Sequence, residues 1–163
     1  MQWIGPTDTE YDARRALFNA MIDKRPRVIA ACADAADVRA ALDRAGEERL
    51  AVAVRSGGHA VAGQSTNDDG LVIDVRPMKD VEIDAAGRRA RVGGGCTWGD
   101  FDAAAQRHGL ATTGGRVSTT GVAGLTLGGG SGWLERQHGL ACDNLLAVEL
   151  ITSDGREIRA DDT

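Results

Sequence analysis

Aromatic residues and proline are scarce in this chain, and basic residues are outnumbered by acidic ones. Only 4% of the 163 residues are aromatic, three are proline, and 19 Lys and Arg stand against 24 Asp and Glu, for a net charge of -5. Few aromatic side chains leave few platforms on which bases could stack, and a negative balance disfavours contact with a polyanion. The composition therefore argues against nucleic acid as a partner.

Cysteines are few, and long apolar runs are missing. Cys32, Cys96 and Cys142 form no CxxC pair and have no histidine at ligand spacing, so they indicate neither a disulfide framework nor a metal site. No stretch approaches the roughly 20 apolar residues that a membrane span needs, and the first residues lack the pattern of a signal peptide. We therefore expect no membrane association and a cytoplasmic location.

Glycine, in contrast, is abundant, with 22 residues that bunch between apolar segments. The first bunch lies in residues 55–59 (RSGGH), directly after a strand predicted over 50–54. Two adjacent glycines allow successive N–H groups to converge on an anion, of which diphosphate is the usual one. The histidine would then lie beside the bound group. A tight turn with an incidental histidine is the alternative interpretation of this segment taken alone.

A second glycine-rich stretch covers residues 121–132 (GVAGLTLGGGSG). It is neither the G-x-G-x-x-G fingerprint of dinucleotide-binding folds nor a phosphate loop, which would need Gly-Lys-Ser/Thr. Its apolar residues alternate with glycines, a pattern that suits a backbone lying flat against a large planar ligand while donating N–H groups to the ligand's polar edge.

Hydrophobic periodicity predicts alternating helices and strands that begin with a β-α-β unit and divide into two lobes near residues 77–80. The predicted helices cover residues 7 or 8 to 22, 34–47, 97–108 and 133–138. The predicted strands cover residues 27–31, 50–54, 71–75, 81–84, 88–92, 145–152 and 156–159. The β-α-β start implies parallel strands, and the residues between 84 and 88 predict a hairpin.

The motifs occur in the order RSGGH, DVRPM, VGGGxTWGD, TTGxxxxTGVAGLTLGGGxGW and GLACDNL. This order resembles the FAD-linked oxidases of the berberine-bridge-enzyme-like type, which share the PCMH-type flavin-binding domain of vanillyl-alcohol oxidase. The resemblance extends from about residue 27 to 163. It implies an α+β fold with a small βαβ lobe over about 1–78 and a larger mixed-sheet lobe over about 79–163. It also implies that the C-terminal substrate domain, with the catalytic base, is absent and that the sequence is truncated.

The same resemblance implies FAD as the cofactor, bonded covalently to His59 through the 8α-methyl of the flavin ring. Backbone N–H groups of residues 56–60 would cradle the diphosphate, and the covalent link should raise the reduction potential. The residues implied to bind the cofactor are Arg55, Ser56, Gly57, Gly58, His59, Ala60, Val117, Thr120, Gly121, Gly124, Leu125, Gly128, Gly129, Asn144 and Val148.

Members of this family with two covalent links have a cysteine four residues before the first glycine of the Gly-x-x-Gly stretch. Val117 holds that position here, so the sequence resembles the singly linked branch. Cys142 is interpreted as a small buried residue instead of a second attachment site. Thr120 would lie near the flavin carbon that reacts with oxygen, which favours an oxidase; a role only in bonding the loop is an equal alternative.

The resemblance implies a flavin-dependent oxidoreductase that takes hydride from an alcohol, sugar or amine and passes the electrons to oxygen. The small-molecule substrate would be held by the absent half, so no residue of this chain is assigned as catalytic or as a metal ligand. The alternative is an isolated FAD-binding module, or a split subunit, with no activity of its own. The surface left by the absent half predicts a homodimer or aggregates.

Overall fold

The structure, a computed structural model, describes residues 1–161. Its strands are β1 (Gln2–Ile4), β2 (Val28–Ala31), β3 (Val52–Arg55), β4 (Leu71–Asp74), β5 (Val81–Asp84), β6 (Arg89–Val92), β7 (Ala147–Ile151) and β8 (Glu157–Asp161). Its α-helices are α1 (Tyr11–Arg15), α2 (Ala35–Glu47), α3 (Trp98–Gln106), α4 (Val122–Leu127) and α5 (Glu135–His138), and a 3-10 turn covers Cys142–Asn144. None of these helices has the length or the apolar character to span a bilayer.

The first half of the chain forms one mixed sheet of four strands in the order β1-β2-β4-β3. Strands β2 and β3 both run parallel to β4, and β1 runs antiparallel to β2. The predicted parallel arrangement around α2 is confirmed, but β4 lies between the two strands that the helix joins. Every residue of β4 is buried, as expected of a central strand covered on both faces.

Apolar residues cover both faces of this sheet. On one face, Ile73 and Leu71 pack with Ala41 and Ala45 of α2, whose small side chains let the helix approach closely. On the other face, Val72 packs with a group that includes Ile4 and Tyr11. The sheet is therefore a rigid base for the loop that follows β3.

The second half contains two antiparallel hairpins, β5-β6 and β7-β8, and a core beneath α3. Trp98, Phe101 and Ala105 of α3 pack with Ala141 in this core. The α+β class is confirmed, with the mixed sheet in the first half and hairpins in the second, where the described residues include no mixed sheet. The division into lobes near residue 78 stays a prediction.

Two predicted elements differ from the structure near the glycine segments. The helix expected to extend to residue 22 ends at Arg15, because Ala16 is extended and the carbonyls of Arg14 and Ala16 accept hydrogen bonds from Arg55. The glycine stretch of residues 121–132, in which no helix is predicted, contains α4, whose residues Val122 and Leu125 pack against the α3 core.

Candidate functional site

The two glycine segments touch each other although more than 60 residues separate them. A Cβ atom added to Gly57 would lie 2.7 Å from the Thr119 carbonyl oxygen and closer still to the Gly121 nitrogen. A Cβ added to Gly121 would lie 2.7 Å from the Gly57 nitrogen. Only glycine allows this approach at either position, so the contact explains both residues without reference to a ligand.

Backbone N–H groups at the first loop have no acceptor. Those of residues 56–60 donate no hydrogen bond within residues 1–161, and the buried hydroxyl of Ser56 is also without a partner. Gly58 has a φ of +73°, a left-handed conformation that occurs in loops whose N–H groups bind anions. A buried hydroxyl without a partner is costly, and Ser56 together with the free N–H groups could bind an acceptor such as a diphosphate.

His59 lies at the end of this loop with both ring nitrogens beside hydroxyls. Its Nε2 atom is 2.9 Å from Thr119 Oγ1, and its Nδ1 atom is 3.5 Å from Thr120 Oγ1. The ring stacks on Phe18, with 4.0 Å between ring centroids and 19° between ring planes. Partial burial lowers the pKa of His59 below its ordinary value. The imidazole is therefore neutral at physiological pH and has a lone pair available on one nitrogen.

Three guanidinium groups surround one buried carboxylate at the base of the loop. Asp74 is fully buried and accepts three hydrogen bonds from Arg76, one from its backbone N–H and two from its guanidinium. A carboxylate oxygen of Asp74 also lies 3.8 Å from the guanidinium of Arg14. Arg55 is 6% exposed, and burial, with repulsion from Arg76, lowers the pKa of Arg55 to about 10. It stays protonated at neutral pH, so the group carries excess positive charge that favours an anion in the loop above.

The Arg55 side chain is directed away from the open side of the loop. Its guanidinium donates to the carbonyls of Arg14 and Ala16, the latter at 2.6 Å, while its Nε atom has no partner. The sequence places Arg55 among the cofactor-binding residues, and a direct contact stays a prediction. The contacts that the structure describes hold the N-terminal segment against the loop.

The second glycine segment is fixed to the start of α3. Trp98 N donates to the Thr120 carbonyl at 2.9 Å, and Val122 N donates to the Cys96 carbonyl at 2.9 Å. Leu125 packs against the α3 core, whereas a Cβ added to Gly124 would meet open space. Thr120 and Gly121 thus lie beside His59 and the first loop, with Gly124 on the open side of the short helix.

The remaining predicted binding residues are less closely tied to this site. Val117 is exposed, Gly128 ends α4, and Gly129 has a φ of +103°. Asn144 donates from its side-chain amide to two carbonyls, those of residues 138 and 140. Val148 pairs with residue 160 in the β7-β8 hairpin. A role for each of these residues in cofactor binding stays a prediction.

Sequence reasoning missed Phe18 and Thr119, which both contact the His59 ring. Phe18 falls within the helix predicted to extend to residue 22, which the structure ends at Arg15, and Thr119 differs in no visible way from the threonine that follows it. Only the rarity of phenylalanine, with two in the chain, could have directed attention to Phe18.

All three cysteines are unpaired. Burial raises the pKa of Cys32 to about 12 and also raises the pKa of Cys96, so both thiols stay protonated. Cys142 is half-buried, more accessible than predicted, at the start of the 3-10 turn. Within residues 1–161, no group of His, Cys, Asp and Glu could hold a metal ion.

Comparison with known proteins shows which family the chain matches. A family profile described as an FAD binding domain matches residues 26–161. The (R)-6-hydroxynicotine oxidase of Paenarthrobacter nicotinovorans is 42% identical over 159 residues, which cover 98% of this chain and 35% of that protein.

Solved structures are similar over almost the whole chain. The crystal structure of 6-hydroxy-D-nicotine oxidase from Arthrobacter nicotinovorans matches with a TM-score of 0.96 and 41% identity, covering 99% of this chain and 36% of that one. Xylooligosaccharide oxidase from Myceliophthora thermophila C1 matches with a TM-score of 0.92 and 27% identity, covering 98% and 34%. The chain therefore spans about a third of the length of the proteins that it matches.

Proposed function

The chain belongs to the family of FAD binding domains found in FAD-linked oxidoreductases, and on that basis we propose that its two glycine segments hold FAD with His59 as the covalent attachment point. One observation carries the proposal. The five successive N–H groups of residues 56–60 have no acceptor within residues 1–161. One of them belongs to His59, whose neutral ring lies beside the second glycine segment. A ligand whose anionic group is bound in the loop would have its other atoms within reach of the His59 ring.

Each part of the site contributes a different kind of contact. The free N–H groups of residues 56–60 and the Ser56 hydroxyl would bind diphosphate oxygens, supported by the positive charge around Asp74. The contact between Gly57 and Gly121 fixes the distance between the two segments. The open face at Gly124 leaves room for a ring to lie against the helix backbone. FAD, when bound, supplies an acceptor for hydride.

The covalent bond would form at a ring nitrogen of His59. His59 would exchange the N–H bond of its ring for an N–C bond to the 8α carbon, which would lose one hydrogen, and dioxygen would take up the two protons and two electrons as hydrogen peroxide. The lowered pKa of His59 keeps the imidazole neutral, as a nucleophile requires, and the hydroxyls of Thr119 and Thr120 can accept or donate at its nitrogens.

For the whole protein we propose oxidation of an alcohol, sugar or amine, with oxygen as the electron acceptor. The names of two similar proteins, a hydroxynicotine oxidase and a xylooligosaccharide oxidase, support these substrate classes.

The unpaired cysteines suit a reducing compartment, and we propose the cytoplasm. A module that binds FAD without activity of its own is the alternative, favoured by the fact that the described chain encloses its own three apolar cores.

Acid precipitation after incubation with FAD tests the attachment. We expect the protein to give a yellow pellet and a fluorescent band on a denaturing gel, and His59→Ala to retain FAD in solution but to lose the band. His108→Ala is the control, because that histidine lies beyond the end of α3, and it should keep the band.

A fluorescent band in the His59→Ala variant would contradict the assignment and would point to Cys142 instead. Hydrogen peroxide release by the whole protein with 6-hydroxynicotine or a xylooligosaccharide separates the two functional proposals. Peroxide formation supports the oxidase, whereas tightly bound FAD with no turnover of any alcohol, sugar or amine supports the module.

A further inference from the structure

Residues 14–22, here called the N-terminal strap, lie across the glycine loop. Arg55 holds the strap by donating to the carbonyls of Arg14 and Ala16. Phe18 N donates to the Gly58 carbonyl at 3.3 Å. Leu17 is buried beside Gly58, where an added Cβ would lie 3.4 Å from the leucine Cδ2 atom. These contacts fix the strap from both the β3 side and the loop side.

Phe18 is the strap residue that covers His59. Its ring stacks on the imidazole at 4.0 Å, yet 66% of the side chain is exposed. A phenylalanine that stays so exposed gains little from the hydrophobic effect, so the core does not explain its presence. Its close contact is with the one histidine that lies between the two glycine segments.

Three partners together define the orientation of the imidazole. The Thr119 and Thr120 hydroxyls lie beside the two ring nitrogens and limit rotation of the ring within its plane. The nearly parallel Phe18 ring, tilted by 19°, limits rotation out of that plane. The lone pair of a neutral imidazole nitrogen lies in the plane of the ring, so these three contacts also set the direction of that lone pair.

We propose that Phe18 is a positioning residue that holds the His59 imidazole in the orientation needed to form its bond to FAD. The inference rests on the proposed covalent attachment at His59 and adds a residue outside both glycine segments. Attack by a nitrogen lone pair needs the ring aligned with its target carbon, and a small misplacement slows such a reaction strongly. The strap would then contribute to attachment although none of its residues accepts a hydrogen bond from the N–H groups of residues 56–60.

Four variants of the full chain test this role. Phe18→Ala removes the stacked ring, Phe18→Leu keeps apolar bulk without a flat face, and Phe18→Tyr keeps the ring. Met21→Ala is the matched control, because Met21 is 89% exposed in the same strap. For each variant, total bound FAD, the rate of formation of acid-stable flavin and thermal stability are measured.

We expect Phe18→Ala and Phe18→Leu to slow acid-stable flavin formation by about tenfold, with total FAD binding and stability little changed. Phe18→Tyr should restore the rate, and Met21→Ala should match the unsubstituted protein. A normal rate in Phe18→Ala, or a parallel loss of total FAD binding, would overturn the proposal. No acid-stable flavin in the unsubstituted protein would show instead that the covalent link itself is wrong.

A second measurement does not need the cofactor. In NMR titrations without FAD, Phe18→Ala should raise the pKa of His59 towards its ordinary value, because the stacked ring contributes to its burial. Phe18→Tyr should leave it unchanged, and the His59 signal is assigned by its loss in His59→Ala. An unchanged His59 pKa and chemical shift in Phe18→Ala would show that the ring does not hold the imidazole.

Discussion

Gly124 illustrates a residue whose identity the fold does not explain. It lies inside α4, its φ is ordinary, and an added Cβ would meet nothing within 4 Å. Alanine would fit there and would favour the helix. A glycine kept in such a place leaves room for something to approach the backbone, as the proposed flavin ring would.

Gly124→Ala should therefore separate stability from binding. We expect the free energy of unfolding without FAD to rise by about 0.5–1 kcal/mol, since glycine in a helix is disfavoured by that amount. Affinity for FAD, measured by quenching of flavin fluorescence, should fall. Gly46→Ala in α2 is the control, because it also has open space and should stabilise without affecting FAD. Unchanged affinity in Gly124→Ala would contradict a flavin contact at this helix.

At this scale the sequence predicts the residues that carry distinctive chemistry and misses those that act through position. The loop of residues 55–60 and His59 follow from glycine pairs and a histidine at a strand end. Phe18 could not be predicted, because its role depends on how Arg55 and Leu17 bring a distant segment across the loop. Packing across the chain decides such contacts, and local pattern does not record it.

Helix α3 supports the second glycine segment, and its N-terminus is closely capped. Thr97 and Asp100 form a reciprocal capping box, and Lys79 donates to Asp100 at 2.9 Å. The Thr97 N–H, then Lys79, lower the pKa of Asp100 to about 2. Through Trp98 and Val122, the cap also fixes where Thr120 and Gly121 lie.

Replacing Asp100 with alanine should lower the free energy of unfolding by about 1 kcal/mol at neutral pH, as loss of a cap does. The folded pKa lies below the unfolded value of about 3.9, so the stabilisation is complete above about pH 4 and disappears as the pH falls through 2. Urea unfolding at several pH values measures the difference. Asp102→Ala on the same helix should show no such loss, since Asp102 has no hydrogen bond or ion pair with residues 1–161. A difference between Asp100→Ala and the unsubstituted protein that is as large at pH 2 as at neutral pH would contradict this account.

Elements with strong local determinants are predicted well. The start of α3 at Thr97 and the β5-β6 hairpin follow from a capping residue and a glycine turn, and both are confirmed. Strand β1 was not predicted, because three residues of no clear alternation become a strand only by pairing with β2. The early end of α1 likewise depends on Arg55, 40 residues away.

Across the molecule, large apolar side chains of the second half lie on the surface. Trp133 is 79% exposed, Leu127 68% and Leu146 63%, and others such as Val117 and Leu145 are exposed to a lesser degree. Exposed apolar side chains of this size favour association. We therefore retain the proposal that the chain forms homodimers or larger aggregates when studied alone.

Sedimentation velocity over a range of concentrations tests this association. Trp133→Gln combined with Leu146→Gln should weaken self-association by about tenfold or more, since each side chain loses apolar contact worth more than 1 kcal/mol. Val61→Gln, at a similarly exposed site in the first half, should leave it unchanged. A monodisperse monomer at the highest concentration would rule out the association.

The position of β4 between β2 and β3 determines when the site can form during synthesis. Strands β2 and β3 do not pair with each other. Each pairs with β4, which the ribosome synthesises after both of them. A nascent chain that ends before Asp74 cannot close the sheet, so the loop between β3 and β4 has no fixed shape. Gly121, which contacts Gly57, is synthesised later than β4. FAD would therefore be retained by the proposed site only after Gly121 has been synthesised, and a ribosome-bound chain that stops between Asp74 and Gly121 should fold its sheet without retaining the cofactor.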